Sequence, residues 1–130
     1  MFPYVAQGAA NAIEDAGTLA MAFTCTQNVD LALEVYQLVR KARSEKIQSS
    51  ATETGRSLHL PDGEEQRKRD AAIRDAGRGT GGTKNPDQWN DRDFRDFMWG
   101  VDVMAETVEK FKHMAAEARE SPSRGRSVRR

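Results

Sequence analysis

A helix whose first turn is built from glycine and alanine leaves its backbone N–H groups bare. In MFPYVAQGAANAIEDAG, Pro3 stiffens the entry, Gln7-Gly8 reads as a turn, and a helix then begins on Gly8, Ala9 and Ala10. The first turn of any helix holds unpaired N–H groups and a partial positive charge of about half an elementary unit. With no side chain over those amides, an anion or a polarised carbonyl can approach closely. Chemistry that develops negative charge on the oxygen of a flat ring suits this arrangement. The plainer reading is a tightly packed helix start made of small residues.

Other residue patterns carry less. Gly77 and Gly82 have the first spacing of a phosphate loop, but Thr83 stands where lysine is required and Lys84 comes one position late. Gly77, Gly79 and Gly82 copy Gly-x-Gly-x-x-Gly without a strand before it, so the segment reads as a flexible loop. His59 and His113 have no second ligand at helical spacing, which argues against a metal. Ser44, Ser49 and Ser50 have no neighbouring base. Glu14 and Asp15 are helix neighbours pointing about 100° apart, so they are expected not to share a site and to act as favourable charge in the N-terminal half of the helix. Trp89, Phe94, Phe97 and Trp99 could line a ligand box; a stripe of this kind more often packs one helix on another.

Helical elements must position these residues. Ala9, Ala12, Ile13, Ala16, Leu19, Ala20 and Phe23 keep helical spacing and predict a helix over 8–24. Asn28 or Asp30 can cap a second helix with an apolar stripe at Ala32, Val35, Tyr36, Val39 and Ala42. Beyond Lys41 it turns charged and is expected to run on exposed towards Gly55. Pro61-Asp62-Gly63 predicts a turn before a short charged helix that ends near Gly77. From Asp91, Phe94, Phe97, Met98, Val101, Met104, Ala105, Val108 and Phe111 form the most regular stripe, with Gly100 as a bend or break.

The fold class expected is all-α, about four helices with a glycine-rich loop, and the first helix is apolar around so much of its circumference that it reads as part of a larger α/β core. Residues 1–112 are expected to form the helical part and 113–130 the helix end with a basic, disordered tail. Residues 121–130 hold four of the 20 basic residues and no acid, so the rest of this zero-net-charge chain is mildly acidic. The tail has no aromatic to stack on a base, and no nucleic-acid partner is expected. No segment approaches the ~20 apolar residues of a membrane span, and the lone Cys25 excludes an internal disulfide. A cytoplasmic location is expected.

The opening residues, PYVAQGAANAIEDAG, resemble the FAD-dependent aromatic hydroxylases, the single-component flavoprotein monooxygenases, and especially their salicylate-hydroxylase-like branch. In that family a Gly-Asp-Ala-Ala-His segment runs into Pro-Tyr-x-x-Gln-Gly-Ala and a helix with Glu-Asp-Ala. ALEVYQLVRKARSEKIQ is similar to the family's Tyr-x-x-x-Arg helix, and LHLPDGEEQRKRD and DFMWGVDV resemble its C-terminal segments. The resemblance covers residues 2–104.

The resemblance implies that Pro3 sits near the flavin ring and Gln7 helps to fix the turn. It implies that Gly8, Ala9, Ala10 and Asn11 start a helix directed at the flavin N1–C2=O2 edge. Relatives often have asparagine where Ala10 stands and proline where Lys41 stands, so backbone contacts are the part expected to carry over. It further implies FAD as cofactor, NAD(P)H as co-substrate, O2, and an aromatic small-molecule substrate. The family's dinucleotide-binding strand, its NAD(P)H segment and its substrate sheet have no counterpart in these residues. The expectation is a C-terminal portion of an oxidoreductase, inactive alone, with Met1 an internal methionine and an N-terminal half as missing partner. The alternative expectation is a small helical interaction module with a basic tail.

Overall fold

The computed structural model describes residues 2–79 and 86–120, with the side chains of 119 and 120 left aside. Every regular element among them is helical: a short 3-10 helix at Pro3–Val5, α1 at Gly8–Cys25, α2 at Val29–Leu58, α3 at Glu64–Gly77, a second 3-10 turn at Gln88–Asn90, α4 at Arg92–Trp99 and α5 at Val103–Glu120. The all-α expectation holds. The expectations for Met1, for the glycine loop from Thr80 to Lys84 and for the tail 121–130 lie outside the described residues.

Local chemistry sets these boundaries. Asn28 caps α2, its Oδ1 accepting from the Leu31 amide at 3.2 Å. Behind Pro61-Asp62-Gly63, α3 opens on Glu64 and Glu65 and carries Arg74 in its last turn, charges that complement the helix dipole at both ends. Asp91 caps α4 by accepting from the Phe94 amide at 2.8 Å.

The stripe that begins at Asp91 is divided between two helices, with the break at Gly100. The Gly100 amide donates to the Asp96 carbonyl at 2.9 Å, and a Cβ on Gly100 would lie 2.6 Å from that oxygen. Asp102 then starts α5 afresh, its Oδ1 accepting from the amides of Met104 and Ala105. A glycine closing one helix and an aspartate capping the next produce five α-helices among the described residues.

The chain divides into two compact units. The first comprises Met1–Ala9 and Ser44–Val101, the second Ala10–Arg43 and Asp102–Arg130, so α1 and α2 each contribute to both. Val5, Ile47, Ala51 and Met98 form the core of the first, with Phe94 and Phe97 packed against them. Ala22, Ala32, Val35 and Val39 form the core of the second, with Leu31, Phe111 and Met114 against them.

One expectation about α2 is corrected. Its stretch beyond Lys41 is not an exposed extension: Ile47 and Ala51 are fully buried and Arg43 and Ser50 nearly so, whereas Ala42 is exposed. The buried face runs Ala32, Val35, Val39, Arg43, Ile47 and Ala51, steps of three or four residues with an arginine in the middle.

Candidate functional site

The approach to α1 differs from the expected Gln7-Gly8 turn. Pro3 occupies the first position of the 3-10 helix, and the reversal falls on Ala6, which has φ 49° and whose amide donates to the Pro3 carbonyl at 3.0 Å. Left-handed backbone at a residue with a Cβ costs about 1–2 kcal/mol, so the surrounding packing holds it. Val5 on one side and Gln7 on the other are both buried. Gln7 therefore points inward, anchoring the segment that delivers the chain to α1.

Gly8, Ala9, Ala10 and Asn11 make the first turn of α1. Gly8 and Ala9 are exposed, Ala10 and Asn11 half-buried, and no acidic residue falls in that turn. The bare amides inferred from composition are thus accompanied by an absence of competing negative charge at the helix start. In the first unit, the Tyr4 ring lies over α2 at Gly55, where a Cβ would come within 2.5 Å of the ring. The His59 ring meets Tyr4 edge-on at 5.3 Å, and its Nδ1 lies 2.8 Å from the Gly55 carbonyl oxygen. Together with Phe2, Arg56 and Leu60 these residues line an open groove of about 670 Å³.

The second unit holds a charged cluster that sequence reasoning did not single out. Arg40, 2 % exposed, donates from Nε to Asp15 at 2.6 Å, from Nη1 to Glu14 at 2.5 Å and from Nη2 to the Asn11 carboxamide oxygen at 2.7 Å. Arg43 takes both Glu14 oxygens, through Nε at 2.8 Å and Nη2 at 2.7 Å. Glu14 and Asp15 accordingly do share a partner, contrary to expectation. Their side chains diverge, but a guanidinium spreads five donors over a planar fork and reaches both. Hydrogen bonding from Arg43, reinforced by the charges of Arg43 and Arg40, holds the Glu14 carboxyl below its ordinary value against the opposing effect of burial. A signal for this cluster existed in the sequence: Arg43 sits on the apolar stripe of α2, and a buried arginine needs carboxylates.

The remaining candidates resolve into ordinary contacts. Phe94 and Phe97 pack on the first core, with the Lys46 ammonium 3.8 Å above the Phe97 ring. Trp89 and Trp99 face each other at 6.3 Å and are largely exposed. His113 lies on the surface beside Glu117. Among the described residues no group of three or more His, Cys, Asp or Glu is placed to hold a metal ion, and no helix is long and apolar enough to cross a membrane.

The chain is 39 % identical over 84 residues to the FAD-dependent monooxygenase atnJ of Arthrinium sp, covering 62 % of this chain and 20 % of that protein. It is 41 % identical over 76 residues to the FAD-dependent monooxygenase OpS4 of Beauveria bassiana, covering 56 % and 18 %. It is 39 % identical over 74 residues to the 3-amino-4-hydroxybenzoate 2-monooxygenase PtmB3 of Streptomyces platensis, covering 56 % and 19 %. The chain thus spans about a fifth of the length of the curated relatives it matches. No family model and no solved structure matches it.

Proposed function

We propose that this chain, a homologue of one segment of the FAD-dependent monooxygenases, supplies the helix-start portion of a flavin site in an enzyme that hydroxylates an aromatic small molecule. The observation that carries the reading is the first turn of α1: small, exposed at Gly8 and Ala9, and free of acidic side chains. In a chain homologous to FAD-dependent enzymes, that turn fits the electron-rich carbonyl edge of a flavin.

The residues fit the cofactor in a second respect. Glu14 and Asp15 lie about one turn further along α1, where unpaired carboxylates would repel an anionic ring. Arg40 and Arg43 pair with them, so the partial positive charge of the helix start is left for a ligand. Bound flavin would supply the redox chemistry, drawing on NAD(P)H and O2. The part of this chain would be binding and charge stabilisation. The amides of Gly8, Ala9 and Ala10 would face the ring edge with Asn11 directly behind them, Pro3 would lie near the ring, and Gln7 would anchor the turn between them.

The helix start is the part of a flavin site read in this chain, which spans about one fifth of a relative's length, and the chain alone is expected to lack turnover and stoichiometric flavin. Absorbance of the purified chain tests this: a full flavin spectrum would overturn it. Sequencing the DNA upstream tests the larger reading, which expects an in-frame Gly-Asp-Ala-x-His codon run; a stop codon between such a run and Met1 favours a separately encoded N-terminal half. The competing reading, a helical interaction module, draws on the exposed Ile13, Leu38 and Trp99. It expects a monodisperse chain with cooperative unfolding and no such upstream codons.

A further inference from the structure

We infer that Arg40 is the positioning residue of the α1 start, a brace on α2 that sets the rotation of α1 and hence where its first amides aim. The inference rests on the reading above for what those amides face, but the brace itself stands on geometry. Each of the three guanidinium nitrogens of Arg40 goes to a different side chain of α1: Asn11, Glu14 and Asp15. These positions are spaced i, i+3 and i+4, so they lie on one face of the helix. A single ion pair would let α1 turn about its axis; three bonds to one rigid plane do not.

Arg40 is itself immobilised. Its side chain is 2 % exposed, and it follows Val39 on a helix whose Val35 and Val39 are core residues. Arg43 closes the arrangement by holding both Glu14 oxygens, which keeps that carboxylate ionised and in place for Arg40. The bond to Asn11 carries the brace into the first turn of α1. Rotation by one residue would swing the first amides by about 100°. The side-chain oxygen of Asn11 is thereby committed to Arg40.

Lysine in place of Arg40 keeps the charge and loses the fork, since an ammonium is a point donor on a flexible stem. Hydrogen exchange on the full chain therefore separates positioning from mere charge balance. The reporting amides are those of residues 12–15, which bond back to the carbonyls of 8–11. We expect Arg40→Lys to speed their exchange about tenfold, with the amides of α3 and α4 unchanged. Asn11→Ala, the milder variant, should speed the same amides by a smaller factor. Adding it to Arg40→Lys should produce no further change.

Three results would overturn the brace: unprotected amides at 12–15 in the wild-type chain, an equal rise throughout the helices in Arg40→Lys, or no response to Asn11→Ala. No flavin enters the measurement. Failure of the flavin reading would appear in the upstream DNA and the absorbance spectrum, and failure of the brace only in the exchange data.

Discussion

At the scale of single residues, burial converts side-chain chemistry into consequences that can be measured. Among the described residues, the Thr18 hydroxyl is fully buried without a hydrogen-bond partner. Thr18→Val keeps the shape and β-branching and removes the unsatisfied group, so it should raise stability by about 1 kcal/mol in denaturant unfolding. Gly55→Ala trades better helix propensity against a Cβ 2.5 Å from the Tyr4 ring. Overpacking costs about 1–3 kcal/mol and the propensity gain is about 1, so the variant should be destabilised and the Tyr4 ring displaced from His59, which a ring-current change in the His59 proton spectrum would report. Glu14 contributes to the acid limb. Its folded value lies below the ordinary 4.5, so its contribution is present above that value and is lost as pH falls through the lowered one. Glu14→Gln should flatten the pH dependence of unfolding in this window. An unchanged acid limb would show that the arginine pairing contributes nothing to folding.

At the scale of elements, stops and caps decide how the helices are cut. Gly100 and Asp102 separate α4 from α5, and the two helices then pack in different units: Phe94, Phe97 and Met98 in the first, Phe111 and Met114 in the second. Asp102→Ala removes the acceptor for two amides and should cost about 1 kcal/mol, read as a lower unfolding midpoint with the loss confined to the start of α5 in hydrogen exchange. These boundaries were legible in sequence because capping is local: Asn28, Asp91 and the Pro61-Asp62-Gly63 turn act on amides within three residues. The burial of the second half of α2 was not legible from a count of charges. Arg43 there is stripe rather than surface, and Ile47 and Ala51 continue beneath it.

At the scale of the whole molecule, apolar surface stands open. On α1, Ile13 is 73 % exposed and Phe23 42 %, and Ala12, Ala16 and Ala20 are exposed along the same helix. A chain with such a surface should bind a hydrophobic dye in its native state and self-associate with rising concentration; Ile13→Asp should reduce both, as dye fluorescence and light scattering would read. The sequence by itself determined the all-helical class, most of the helix starts and the small, acid-free first turn at Gly8–Asn11, because periodicity, caps and side-chain size act within a few residues. Only the tertiary structure decided that Ala6, not Gly8, makes the reversal, and that Glu14 and Asp15 meet on one guanidinium. Those outcomes depend on side chains about 25 residues apart coming within hydrogen-bond reach, and on packing that holds a backbone angle no local preference would select.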